Sequence, residues 1–162
     1  MPSETPNPAA AIQDRYPDEF SHCYGCGRHN EHGLRIRSFW DGKTAVCEFE
    51  PRPYHLAMAG YVYGGLIASI IDCHSIGAAA AALAERDGTD DDAQLPRCVT
   101  GSLHVDFLRP TPEGVPLVVR AEVLSIDGRK VRVRAELEAA GKVRAEGEVL
   151  AIRLSTDDGE RS

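Results

Sequence analysis

The sequence predicts an α+β domain in which a six-stranded antiparallel sheet wraps around one long, buried helix. Three observations predict it. Six runs, at 34–40, about 44–50, 97–109, 116–126, 129–139 and 142–154, are alternating or apolar in the manner of strands. The stretch Gly64–Arg86 carries Leu66, Ala68 and the run Ala78–Ala84, with Asp72 as its only charge before Glu85. A helix apolar on nearly every side belongs inside a core. The order is then strand, strand, helix and four strands, which is one sheet packed on one helix.

Each element has its own justification. Residues 1–21 contain Pro2, Pro6, Pro8 and Pro17 without an apolar period, which predicts an extended, partly disordered lead before a domain at 22–154. In the first strand Leu34, Ile36, Ser38 and Trp40 alternate with Arg35, Arg37 and Phe39, and Asp41-Gly42 signals a tight hairpin into the second. The acidic stretch 87–94 predicts a disordered loop after the helix. Asp127-Gly128 and Ala140-Gly141 mark the later hairpins. Between these, Val131, Val133, Ala135 and Leu137 predict a buried face, and Arg132, Arg134, Glu136 and Glu138 a wet one. With Arg144, the arginines predict a salt-bridged outer surface. Residues 155–162 are a polar tail.

The 162 residues suit one domain, and 43% hydrophobic content is enough for a core. Eighteen Lys and Arg stand against 25 Asp and Glu, a net charge of -7. Such a chain lacks the basic face that nucleic acid requires and is repelled by anionic lipid. Gly64–Arg86 is long enough to span a bilayer. Asp72, His74 and the amphipathic strands argue instead for a core helix and no membrane partner. Met1 to Asp14 has no basic or apolar stretch of a secretory signal, so the expected location is cytoplasmic and the five cysteines are expected to be thiols or ligands rather than a disulfide framework. No phosphate-binding loop, dinucleotide fingerprint or serine nucleophile elbow is present.

The chemistry concentrates in Gly60–His74. Gly64 and Gly65 stand where the helix begins, and the first N–H groups of a helix point outward without internal partners. Such groups can hold a developing oxyanion. Asp72 lies eight residues later, expected on the same side, and a carboxylate in apolar surroundings is either paired or reactive. Two readings are open here: a reactive carboxylate, or a structural acceptor bonded to backbone or to Ser75. Cys23-x-x-Cys26 with His22, His29 and His32 has the spacing of half a zinc site. Without a second such pair it reads as a tight turn packing two small thiols, so no metal or other cofactor is expected. His74 reads as a buried or interface residue. His104 beside Asp106 reads as a surface or interface residue. Arg109, Arg129 and Lys130 are cations that could meet phosphates.

Cys23-Tyr-Gly-Cys-Gly27 with His32-Gly-Leu34, the Gly64-Gly65 helix start, Asp72, and Leu103-His-Val-Asp-Phe-Leu-Arg-Pro110 followed by Pro112 and Gly114 together resemble the hot-dog-fold thioesterases of the PaaI-like group. The resemblance covers nearly all of Cys23 to Leu154. It implies hydrolysis of an acyl-CoA thioester. Asp72 would be general base or nucleophile, the Gly64 N–H would polarise the carbonyl, and Thr100 would orient water from a partner subunit. Tyr63, Gly65, Arg109, Arg129 and Lys130 would contact the substrate. It also implies a homodimer or homotetramer. Two positions depart from the group's pattern: Tyr63 stands where His is usual, and Ala57 where Asn is common. They keep open a non-catalytic acyl-CoA-binding protein, beside a metal-binding module at 22–32 and a dehydratase using His104.

Overall fold

Six strands and one long helix form where the alternation and the apolar run predict them. The computed structural model describes residues 10–155. The strands are β1 (Ser38–Trp40), β2 (Thr44–Phe49), β3 (Cys98–Phe107), β4 (Leu117–Asp127), β5 (Lys130–Ala139) and β6 (Lys142–Arg153), and the helix α1 is Gly64–Arg86. All neighbours pair antiparallel in the order β1-β2-β4-β5-β6-β3. The helix therefore carries the chain from β2 across the sheet to its far edge, where β3 pairs with β6 alone among the described residues. That edge strand is long, and it leaves Leu103 39% and Phe107 54% exposed. Unprotected edges of this kind invite another strand.

The period-two reading of β5 holds. Val131, Val133, Ala135 and Leu137 are fully buried. Opposite them Arg132 pairs with Glu148 at 3.2 Å, and Arg134 with Glu136 at 3.3 Å and Glu146 at 3.4 Å. Pairs this exposed contribute about 0–1 kcal/mol each. Arg144 departs from the expectation. Its guanidinium donates to the carbonyls of Ala139 (2.9 Å) and Pro110 (3.2 Å), so it ties the β5–β6 hairpin to the β3 exit. Helix α1 has the length and composition to cross a membrane, yet most of it is buried beneath the sheet. The whole run Ala78–Ala84 is buried, and small side chains let sheet and helix approach closely.

Two expectations of disorder are corrected. Residues 10–21 form 3-10 turns at Ile12–Arg15 and Asp18–Phe20, with Ala11, Ile12 and Gln13 buried against the core. Residues 1–9 and 156–162 lie outside the described residues, so the polar tail is described only at Ser155. The acidic loop is likewise tethered: Arg15 donates to the carbonyls of Asp90 (3.0 Å) and Ala93 (3.2 Å), and Leu95 is buried. The first strand is shorter than the alternation suggests, since residues 34–37 are not paired into the sheet.

A buried polar chain anchors the lead. His74 Nε2–H donates to the Ala45 carbonyl (3.0 Å), which fixes the tautomer and leaves Nδ1 to accept from the Ser38 hydroxyl (2.7 Å). Ser38 Oγ accepts from Gln13 Nε2 (3.2 Å), and Gln13 Oε1 accepts from the Ser38 N–H (2.7 Å). Every polar side-chain atom of this chain is thus paired. Burial holds the His74 pKa down at about 4. The unfolded chain binds a proton at this imidazole near pH ~6.5 and the folded chain does not, so stability falls as pH drops between these values. The stability difference between wild type and His74→Leu is expected to narrow by roughly 2–3 kcal/mol between neutral pH and about pH 4.5. Urea unfolding at both pH values checks this; an unchanged difference would mean that the folded ring takes up the proton.

Candidate active site

Helix α1 begins at Gly64, with Tyr63 as its N-cap in an extended conformation (φ -61°, ψ 129°) and without a side-chain cap bond. Tyr63 is 57% exposed, and its ring lies over Gly65, where a Cβ would collide with Cε1. Gly65 thus leaves room for the ring, and the ring shields one side of the helix start. The Gly64 N–H, one of the unpartnered first-turn donors, lies at a cavity of about 510 Å³ lined by Met58, Tyr61, Phe107, Leu108 and Arg109.

Asp72 opens elsewhere. It lines a cavity of about 420 Å³ with Tyr16, Phe20, Cys23, Cys73 and Thr100, and no residue lines both cavities. Eight helical residues at ~1.5 Å each separate Gly64 from Asp72 by about 12 Å along the axis. On β3, Thr100 and Phe107 are about 23 Å apart at ~3.3 Å per residue. Asp72 and Gly64, two turns apart on one helix, therefore line separate cavities of a single chain.

Within its own cavity Asp72 is held. The Thr100 hydroxyl donates to Asp72 Oδ1 at 2.6 Å in the same chain, so Thr100 comes with the carboxylate rather than from a partner. Ser75 does not share in this bond; its buried hydroxyl has no partner. Burial raises the Asp72 pKa, the Thr100 hydrogen bond works against that, and negative charge at Cys23 raises it further. The result is a strengthened base with one oxygen fixed and the other available.

The cations divide the same way. Arg109 stands at the Gly64 cavity and donates to the Val143 carbonyl at 2.6 Å. Arg129 and Lys130 are exposed at the β4–β5 turn, and Lys130 is paired in register with Ile152, which also pairs with Val99. They therefore stand at the Thr100 end of the sheet. His104 is outside both cavities, exposed and 3.2 Å from Asp106, which gives it no approach to Asp72.

Two wall residues were not foreseen. Tyr16, from the N-terminal lead, brings a buried hydroxyl without a hydrogen-bond partner to the Asp72 cavity. Cys73 joins Cys23 and Cys26, their three sulfurs lying within 4.8 Å of one another. The Cys23 thiol is drawn strongly toward ionisation by the Cys26 and Cys73 thiols aimed at it, with the Cys26 and Gly25 backbone N–H groups adding to this. Donating to Cys23 pushes the other two up, Cys26 to about 12. Neither residue was legible, because each enters the site through contacts distant in sequence.

A six-stranded antiparallel sheet around a long central helix, with an acidic side chain on that helix and bare N–H groups at its start, defines a hot-dog-fold protein. A family profile described as the thioesterase superfamily matches residues 59–151. A thioesterase superfamily protein from Shewanella loihica PV-4 is 39% identical with a TM-score of 0.64, over 85% of this chain and 98% of that one. A mutant form of the phenylacetic acid degradation protein PaaI of Thermus thermophilus shares the fold at 24% identity and a TM-score of 0.58, over 75% of this chain and 95% of its own. Acyl-coenzyme A thioesterase THEM4 of Xenopus laevis is 31% identical over 97 residues, which are 60% of this chain and 38% of that protein. The Rattus norvegicus THEM4 is 27% identical over 97% of this chain and 70% of its own length. The chain thus spans well under two thirds of the Xenopus relative. It belongs to the thioesterase superfamily.

Proposed function

We propose that the protein hydrolyses an acyl-CoA thioester to a free carboxylic acid and coenzyme A, with Asp72 as the general base. The observation that carries this reading is the Thr100–Asp72 pair on the wall of a largely apolar cavity. The relatives named acyl-coenzyme A thioesterases supply the substrate class. Asp72 takes a proton from water, the water oxygen attacks the thioester carbon, and the negative charge moves to the carbonyl oxygen. An N–H at Gly64 meets that oxygen. Collapse of the tetrahedral intermediate expels the coenzyme A thiolate, which is protonated as it leaves.

Because Gly64 and Asp72 of one chain face different cavities, the active unit in this reading is at least a dimer. Antiparallel pairing of two β3 edges about the midpoint between Leu103 and His104 sets Thr100 of one chain opposite Phe107 of the other. Phe107 is the side chain packed beside Gly64, 3.4 Å from where a Cβ there would stand. The same pairing covers the exposed Leu103 and Phe107 and brings Arg109 to the Arg129 and Lys130 end, where cations can meet the coenzyme A phosphates. Each active site then combines the helix start of one chain with the carboxylate of its partner.

Thiol release from short, long and aryl acyl-CoA esters tests the activity. Binding without release on every ester would make this an acyl-CoA-binding protein instead. Thr100→Ala is expected to slow turnover by roughly 10- to 100-fold, the value of a lost hydrogen bond to a charged group. The same bond lowers the Asp72 pKa, so its removal is expected to shift the acidic limb of the pH–rate profile to higher pH, and Thr100→Ser to restore both. A slower variant with an unmoved acidic limb would separate Thr100 from the carboxylate's chemistry.

A further inference from the structure

Three thiols from two distant segments converge beside the Asp72 cavity, and the fold is shaped around their meeting. Cys23 and Cys26 belong to a tight turn closed by the Gly27 N–H donating to the Cys23 carbonyl at 2.8 Å. The Gly25 carbonyl accepts from the Ile36 N–H at 3.0 Å, which pins the turn to the chain entering β1. Cys73 arrives from the middle of α1. Its sulfur occupies the space a Cβ at Gly25 would need, so Gly25 is what lets the helix thiol reach the turn. Gly27 is equally enclosed, because a Cβ there would stand 2.6 Å from the Ser21 carbonyl oxygen.

The spacing suits a cation. Cys23 Sγ and Cys73 Sγ are 3.9 Å apart, and all three sulfurs lie within 4.8 Å of one another. A tetrahedral ion with Zn–S bonds of ~2.3 Å sets its sulfurs about 3.8 Å apart. A disulfide would instead require a sulfur separation of ~2.05 Å. The Gly25 and Cys26 backbone N–H groups follow Cys23 within the same tight turn.

We infer that Cys23, Cys26 and Cys73 bind one thiophilic divalent cation, Zn²⁺ foremost, with its fourth coordination position open to the cavity that also holds Asp72. On binding, the three thiols release their protons to water and the sulfurs ligate as thiolates, with no change of oxidation state. The ion fastens the turn to the central helix, and its two positive charges largely offset the three thiolates, leaving the bound site with one net negative charge. This inference stands independently of the hydrolytic reading, since its test reads metal and not turnover.

The test is zinc stoichiometry on the full chain. Reduced protein is equilibrated with Zn²⁺, desalted, and assayed for metal released by a thiol-blocking mercurial. One zinc per chain is expected for wild type and for Cys98→Ser, whose thiol lies in the same cavity but outside the cluster. Cys23→Ser, Cys26→Ser and Cys73→Ser are each expected to fall to background. Should those variants fold poorly, Co²⁺ bound to wild type gives the second readout, with sulfur-to-cobalt charge transfer and tetrahedral visible bands expected. Wild-type protein that retains no zinc while its thiols are reduced would overturn the inference, as would a Co²⁺ spectrum without thiolate bands. A native mass two protons short, locating a disulfide among these three cysteines in freshly isolated protein, would overturn it as well.

Discussion

Asp72→Asn is expected to reduce thiol release from an acyl-CoA ester by about 10²–10⁴-fold, the usual contribution of a positioned general base. The substitution keeps the shape of the side chain and its oxygen acceptor for the Thr100 hydroxyl, and it removes only the ability to take a proton from water. Its effect on stability is expected to run the other way. Burial raises the Asp72 pKa, so the folded chain disfavours the ionised form relative to the unfolded chain. A carboxylate raised in this way is at no disadvantage below the unfolded value near pH ~3.9, and it destabilises increasingly as pH rises through the folded value. Asparagine carries no such penalty. At neutral pH the variant is expected to be as stable as wild type or slightly more so, by less than about 1 kcal/mol, because the group is partly solvated and screened. The gain is expected to vanish at about pH 3. Paired kinetic and thermal-unfolding measurements check both halves. Full activity in the variant would remove Asp72 from the mechanism, and lost activity accompanied by a lower melting temperature would assign it a structural role. Opposite movement of activity and stability is the pattern of a group kept for chemistry.

Much of this architecture was legible because it rests on local periodicity. The alternation from Val131 to Leu137 and the apolar stretch from Gly64 to Arg86 each state their own burial, and the turn residues at 41–42, 127–128 and 140–141 punctuate them. What was not legible depends on contacts between remote segments. Gln13 looks like part of a polar lead until Ser38 and His74, 25 and 61 residues further on, draw its amide into a buried chain. Arg144 fits an outer charged face by alternation, but the nearby carbonyls of Ala139 and Pro110 compete successfully for its guanidinium. The same holds at the site. Gly64, Asp72 and Thr100 follow from a motif, yet motif spacing says nothing about which cavity each one faces. Cys73 sits beside Asp72 in sequence and so points to a different part of the helix surface. Only the placement of residues 23–26 against that surface makes it the third member of a thiol cluster.

Gly64→Pro tests the other half of the chemistry and the two-chain geometry together. Proline is well tolerated at the first position of a helix, and Tyr63 already has the extended conformation that a residue before proline prefers. A Cβ at this position lies 3.4 Å from the Phe107 ring, so a small adjustment accommodates it. The change therefore removes one N–H donor and leaves the helix. Loss of an oxyanion donor is expected to lower turnover by about 10²–10³-fold. If each site takes its donor from one chain and its base from another, mixing Gly64→Pro chains with Asp72→Asn chains regenerates intact sites. Random pairing places one intact and one doubly deficient site in half of the dimers, so about a quarter of wild-type activity is expected to return after unfolding and refolding the mixture. Neither variant refolded alone should gain any. A mixture no more active than the average of its two components would mean that donor and base act within one chain, and the β3 edge would then need another explanation for its exposed Leu103 and Phe107. Recovery near a quarter would establish that the long apolar edge and the separation of Gly64 from Asp72 are two consequences of one arrangement, in which a single chain carries two incomplete halves of different active sites.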